Sequence, residues 1–232
     1  MKCQIIPIIC RKLFSLSLIG IVSVGALSGQ DIQQNGKASY YSRKFQGNVT
    51  ASGDIFDTYD YTAAHRSLPF NTYVNVTNTA NKLNVIVRIN DRGPYAKSRI
   101  IDLSEAAARR IGGYQHGVVH VKLEVLDILQ LTPAIDSIFN SGGVHDCLGN
   151  KAEFEGKSLS LWRTFDLLHA LYVANDLYIK EDVSKVYLIA KRDGGRNLYH
   201  IVLSGFNTDE ALIKAKEMFE QKGFMEVEYF YP

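Results

Sequence analysis

The stretch from residue 50 to residue 104 constrains the fold more than any other part of the chain: TASGDIFDTYDYTAAHRSLPFNTYVNVTNTANKLNVIVRINDRGPYAKSRIIDLS. Two polar clusters bracket alternating apolar segments. The first holds Asp54, Asp57 and His65, and the second holds Asn90, Asp91, Arg92 and Gly93. Between them, residues 72–77 and 83–89 have the period of two that marks strands, joined by a turn through Asn78-Thr79-Ala80-Asn81. In the second strand Leu83, Val85 and Val87 form an apolar face, whereas Asn84, Ile86 and Arg88 make the other face mixed. Carboxylates and an imidazole gathered at strand ends, with no metal-ligand or nucleophile pattern beside them, suit acid/base chemistry on a polar substrate.

The flanks complete a small β-rich domain. Residues 37–42 (KASYYS) open it, and Ile100 and Ile101 lead into a short helix. Ser104 supplies the helix N-cap, Glu105 suits its positive end, Arg109 and Arg110 suit its last turn, and Gly112-Gly113 stops it. Residues 117–125 (GVVHVKLEV) form a closing strand. Many short strands with one small helix predict a barrel.

Six pieces of this region occur in a fixed order: TASG, FD, TAAHRSLPF, V-x-V-T-N, NDRGPY and IDLSEAAARRIG. Together they resemble the catalytic domain of the rare lipoprotein A family, septal lytic transglycosylases with a double-psi β-barrel, over roughly residues 36–126. The resemblance implies an all-β double-psi barrel over residues 30–128 and an enzyme that cleaves the β-1,4 bond between N-acetylmuramic acid and N-acetylglucosamine. In that reaction a carboxylic acid protonates the leaving oxygen, and the muramic acid's own 6-hydroxyl attacks the anomeric carbon. The product carries a 1,6-anhydro end. One carboxyl can act as acid and then as base, so the paired geometry of ordinary glycosidases is not required.

With that chemistry in view, Asp91 is the expected acid, since it follows an apolar strand and precedes Gly93-Pro94. Composition alone would read Asn-Asp-Arg-Gly as turn chemistry. Asp54 stands where the family usually carries Glu, and it is the second expected catalytic carboxylate or else a structural one, with one methylene less of reach. His65 is the third catalytic candidate, against a satisfied structural histidine. Asp57 and Arg92 are expected to bind substrate, with loop hydrogen bonding and surface ion pairing as their plainer alternatives. His116 and His120 lack a third ligand at metal-like spacing, so neither a metal nor another cofactor is expected.

A second module is expected from Lys157. Residues 158–162 read as a strand, and Thr164 is placed to cap a helix running to about Asn175. Residues 185–191 and 198–203 read as strands joined at Asp193-Gly194-Gly195. Asn207 with Glu210 resembles a capping box, followed by an apolar helical stripe from Ala211 to Phe219 and a last strand over residues 225–230. This β-α-β, β-α-β order predicts a small α+β, ferredoxin-like domain over residues 157–232. With YHIVLSGF at 199–206 and Lys222-Gly223-Phe224, it resembles a SPOR domain, which binds glycan strands lacking stem peptides. The usual Gln-x-Gly-x-Phe character after the first strand is missing. Trp162, Tyr187 and Tyr199 are open to either sugar stacking or core packing. Residues 129–156 are expected to connect the two modules, with Leu131, Ile135, Ile138 and Phe139 available for packing.

The first 29 residues read as a signal peptide. Lys2, Arg11 and Lys12 precede an apolar run from Leu13 to Leu27 that is short for a bilayer span, and Ala26, Ser28 and Gly29 offer a cleavage zone. Cys3 and Cys10 precede that run, and no Cys follows it closely, so no lipid anchor is predicted. Of the 26 Lys+Arg, removal of the leader takes three, leaving 23 against 24 Asp+Glu, a net charge of −1. That balance argues against nucleic-acid binding. Cys147 would be the lone remaining thiol and cannot form an internal disulfide. The expected setting is the periplasm or cell envelope at the division septum. Peptide-free glycan is the expected partner, and septal cell-division proteins are possible ones. The alternative is a non-catalytic peptidoglycan-binding or expansin-like wall-loosening protein.

Overall fold

The computed structural model describes residues 33–126, 137–139, 143–146, 149–153, 156–180 and 185–231. The expected leader, Cys147, Leu131 and Ile135 lie outside the described residues.

The N-terminal half is a closed barrel of six strands: β1 (Gln33–Tyr40), β2 (Thr62–His65), β3 (Tyr73–Asn78), β4 (Asn84–Asp91), β5 (Ile101–Leu103) and β6 (Val119–Val125). Around the wall they run β1-β5-β2-β4-β3-β6. The β1/β5 and β2/β4 pairs are parallel, and the remaining pairs are antiparallel. This mixed, closed arrangement is the double-psi barrel expected from the sequence. Closure leaves no free sheet edge, so every strand can send one face inward. Ala38, Ala63, Val74, Val76, Val85, Val87, Ile101, Leu103, Val121 and Leu123 fill the interior and are buried. Helix α1 (Glu105–Arg110) follows β5, capped as expected by Ser104, whose hydroxyl accepts from the Ala107 amide at 3.2 Å.

The C-terminal half is a five-stranded sheet with two helices. In chain order these are β7 (Val144–Asp146), β8 (Lys157–Thr164), α2 (Leu167–Lys180), β9 (Val186–Asp193), β10 (Arg196–Phe206), α3 (Asp209–Gln221) and β11 (Glu228–Phe230). The sheet order is β11-β8-β10-β9-β7. From β8 onward the chain follows the β-α-β, β-α-β succession read from the sequence. Strand β7, which falls within the expected connector, extends that sheet by pairing with β9. Gly194-Gly195, both at positive φ, close the β9–β10 hairpin as expected.

Two helix starts differ from expectation. Helix α2 begins at Leu167, and the carboxylate of Asp166 takes the His169 amide at 3.0 Å as its cap. Thr164, two residues before that cap, instead accepts from the Asp166 amide at 3.2 Å. The α3 cap is Thr208, accepting from Ala211 at 3.2 Å, rather than Asn207. Several short polar residues stand before each helix, and only the backbone path selects which one faces the free amides.

The two halves share one continuous apolar core. Trp162 of β8 is 3% exposed and stacks on Tyr61 of the barrel, with ring centroids 4.6 Å apart. Its indole N–H donates to the Tyr59 carbonyl at 3.3 Å. The buried His169 ring of α2 contacts the Ile86 carbonyl of β4 through Nε2 at 2.8 Å. Tyr172 of α2 packs with Tyr73 and Ile86 on the outside of the barrel. At the far end, Arg110 stacks on Phe224 and donates to the Lys222 carbonyl at 3.1 Å. Gly223 has φ +90°, and a Cβ there would stand 2.7 Å from the Arg109 backbone, so this approach requires glycine. Trp162 therefore packs against the barrel instead of presenting its ring to solvent. No helix among the described residues is long and apolar enough to cross a membrane.

Candidate active site

The end of β4 carries Asn90 and Asp91, and a loop over residues 46–60 folds back onto it. Phe56 anchors this loop by burial, and the Gly47 amide donates to the Phe56 carbonyl at 2.9 Å. The Ser52 amide donates to the Asn90 carbonyl at 3.1 Å, and the Ala51 amide donates to Asp91 Oδ1 at 2.9 Å. Asn90 Nδ2 lies 3.4 Å from Asp54 Oδ2. Two aspartates 37 positions apart are thus brought to either side of Asn90.

Asp91 is half-buried and receives three hydrogen bonds. Besides the Ala51 amide, the Arg92 amide donates to Oδ1 at 2.8 Å, and the Tyr41 hydroxyl donates to Oδ2 at 2.6 Å. Burial, followed by the hydrogen bond to Asp91, pushes the Tyr41 phenol far above its ordinary range, so Tyr41 is a neutral donor at every working pH. Tyr41 is the residue that sequence reasoning missed. It lies in the opening KASYYS segment beside Tyr40, and only its position at the end of β1 separates the two. Around it, Ser39 donates to Asp102 at 2.6 Å, and Arg66 holds the 94–99 loop through the carbonyls of Pro94, Ala96 and Arg99.

Asp54 is held differently. Its Oδ2 accepts from Arg88 at 2.8 Å, and 39% of its side chain remains exposed. Burial alone would raise its pKa, but the Arg88 hydrogen bond and charge, with Asn90 and Ser52, overcome this and lower it. Asp54 is therefore a carboxylate across the neutral range and is accessible from solvent.

The other candidates have different surroundings. Asp57 is exposed, and its Oδ1 accepts from the Tyr59 amide at 3.1 Å and from Gln46 at 3.2 Å, which shapes the loop. His65 is 3% exposed. Its Nδ1 accepts from the Leu68 amide at 3.0 Å and lies 3.3 Å from the Ser67 amide, so Nε2 carries the proton and donates to Gln34 at 3.2 Å. Burial first, then the charges of Arg66 and Arg92, lower its pKa and keep it neutral. Among the described residues, no hydrogen bond joins His65 to Asp54 or Asp91. It connects to the site through Arg92, which donates to the His65 and Leu68 carbonyls at 3.2 and 3.0 Å and stacks on Phe70 at 3.7 Å.

One more carboxylate shapes the neighbourhood. Glu105, at the start of α1, is 1% exposed and accepts from Arg43 through both oxygens at 2.6 Å and from Arg109 at 2.7 and 2.9 Å. The Arg43 hydrogen bonds, with Arg109 adding and burial opposing, draw it down to about 2. This clamp fixes the turn that follows Tyr41. The loop, the β1 end and the β4 end therefore form one hydrogen-bonded unit presenting two carboxylates in different settings, an arrangement suited to proton transfer beside a stabilised positive charge.

The family model described as lytic transglycolase matches residues 33–123, the span of the barrel. The endolytic peptidoglycan transglycosylase RlpA of Vibrio cholerae is 52% identical over 95 residues, covering 41% of this chain and 36% of that protein. The protein of the same name from Pasteurella multocida is 57% identical over 95 residues, covering 41% of this chain and 32% of that one. For Neisseria meningitidis the figures are 45% over 107 residues, 46% and 45%. The chain thus spans between about a third and a half of the length of these relatives. Over its barrel, the chain is therefore similar to the lytic transglycolase family model and to these RlpA proteins.

Proposed function

We propose that the protein is an endolytic lytic transglycosylase acting on peptidoglycan glycan strands. The observation that carries this reading is the seating of the 46–60 loop on the β4 end, which places Asp54 and Asp91 on either side of Asn90. Asp91 Oδ donates a proton to the glycosidic oxygen as the bond to the anomeric carbon breaks. Asp54, kept ionised by Arg88, stabilises the oxocarbenium-like charge. The 6-hydroxyl oxygen then bonds to the anomeric carbon and returns its proton to Asp91, which closes the 1,6-anhydro ring without water. Tyr41 orients Asp91. His65 and Arg92 fix the wall of the site, and Asp57 lines its exposed rim, where a sugar hydroxyl would reach it.

The second half is proposed to be a SPOR-like module beginning at Lys157 that holds the enzyme on strands lacking stem peptides. The β-α-β, β-α-β succession supports this. On this reading the protein is secreted into the periplasm through its leader and works at the division septum, in the company of septal proteins. Mass spectrometry of purified glycan strands after incubation tests the activity. Accumulating 1,6-anhydro ends are expected, and only reducing ends, or no cleavage, would overturn it. Retention on sacculi with and without prior amidase treatment tests the module, with stronger retention expected after stem peptides are removed.

A further inference from the structure

Arg88 has a second carboxylate partner, and it comes from the other half of the chain. While NH1 donates to Asp54 at 2.8 Å and to Asn71 at 3.0 Å, Nε lies 3.3 Å from Asp166 Oδ2. Asp166 is the cap of α2, so its Oδ1 is occupied by the His169 amide at 3.0 Å. The same Oδ2 also accepts from the Tyr73 hydroxyl of β3 at 2.5 Å. Asp166 is thereby immobilised on two sides, by its own helix and by the barrel wall. The Arg88 side chain is only 16% exposed and leaves β4 on its outward face, the face that α2 covers. A guanidinium is a planar fork, so fixing one edge on Asp166 fixes the direction in which the other edge points. That direction is toward Asp54.

We propose that Asp166 is a positioning residue for the barrel's site. Acting through Arg88, it sets both the place and the charge state of Asp54, so the C-terminal half completes the catalytic unit as well as packing against it. The catalytic consequence rests on the lytic transglycosylase reading, but the positioning itself does not.

Asp166→Asn separates this role from plain structure. Asparagine caps a helix as well as aspartate does, so α2 should remain capped. The amide left facing Arg88 Nε carries no charge, so the ion pair is lost and the fork loses its brace. The expected result in the full chain is an upward move of the Asp54 titration, followed by carboxyl-carbon NMR, of about one pH unit, the order expected when the guanidinium paired with Asp54 loses its ionic anchor. The rate of anhydro-end formation should fall about tenfold in kcat, with KM unchanged and the acid limb of the pH profile moved up in parallel. A downward move of Asp54 would show that Asp166 acts only as a nearby negative charge, and no move would show no link. Either result overturns the proposal. Arg110→Ala, at the opposite end of the interface, is the control. It should lower the melting temperature and leave the Asp54 titration in place, whereas an equal shift would mean general loosening and would also overturn the proposal. If the wild-type protein yields no anhydro ends, the activity reading fails, yet the NMR titration still decides the positioning.

Discussion

The two carboxylates at the β4 end are held by opposite means. Asp91 is fixed by short-range geometry inside the barrel: two backbone amides and one tyrosine hydroxyl, all neutral donors. Asp54 is fixed by a charged side chain whose other edge rests on the second half of the chain. Neutral donors bring no net charge to a carboxylate, whereas a guanidinium sets a full positive charge beside it. The contrast gives the two residues different aptitudes. On the proposed reading Asp91 exchanges the proton, and Asp54, beside Arg88, remains negative.

The largest effect should come from Asp91→Asn. The change keeps nearly the same volume but removes the acidic proton, so formation of anhydro ends should fall by about 10²–10⁴. Circular dichroism should be native, and retention on peptide-free sacculi should persist. Full activity in a native-like variant would pass the acid's role to Asp54 and reverse the comparison.

Next is the surface that braces Asp54. Trp162→Ala removes the ring stacked on Tyr61 and one indole hydrogen bond. Urea denaturation should show a loss of about 3–5 kcal/mol, the usual range for emptying a buried aromatic site. A loss below about 1 kcal/mol would mean that the two halves are held mainly elsewhere.

Tyr41→Phe sharpens the other side. Phenylalanine preserves the ring contacts with Phe45 and Phe56 and removes only the donor to Asp91. A hydrogen bond to a charged group contributes about 1.5 kcal/mol or somewhat more. The initial rate should therefore drop about tenfold, with melting temperature little changed. An unaltered rate would leave Asp91 dependent on its backbone donors alone.

The smallest effect concerns Glu105. Its pKa in the folded chain, about 2, lies below its ordinary 4.5, so its ion pairs contribute stability that is fully present above about pH 4.5 and lost as pH falls toward 2. Arg43 is largely exposed, which screens its share. Glu105→Gln should cost about 1 kcal/mol at neutral pH and flatten the stability profile between these two pH values. Thermal melts at pH 6 and pH 3 would show the difference, and a variant profile parallel to wild type would remove Glu105 as the acid-sensitive contact.

How much was legible in the sequence follows from the range of each interaction. The period-two runs of β3 and β4, the Ser104 cap, the glycine hairpin and the β-α-β, β-α-β succession are local. Alternation and turn chemistry act within a few residues, so they can be read off the chain. The six motif pieces also located the β4 end and the loop that faces it. The mixed outer face of β4 could be seen but not interpreted. Ile86 and Arg88 look like an indifferent solvent face until α2 covers them, with His169 against the Ile86 carbonyl and Asp166 against Arg88. Trp162 was open to two uses, and a partner 101 positions away decided between them. Tyr41 was indistinguishable from Tyr40 in a run of aromatic and small residues. Whether a hydroxyl reaches a carboxylate depends on where two strands end in space. Hydrogen bonds and ion pairs act over about 3 Å, and a closed barrel brings distant positions to that separation without leaving a mark on the intervening sequence.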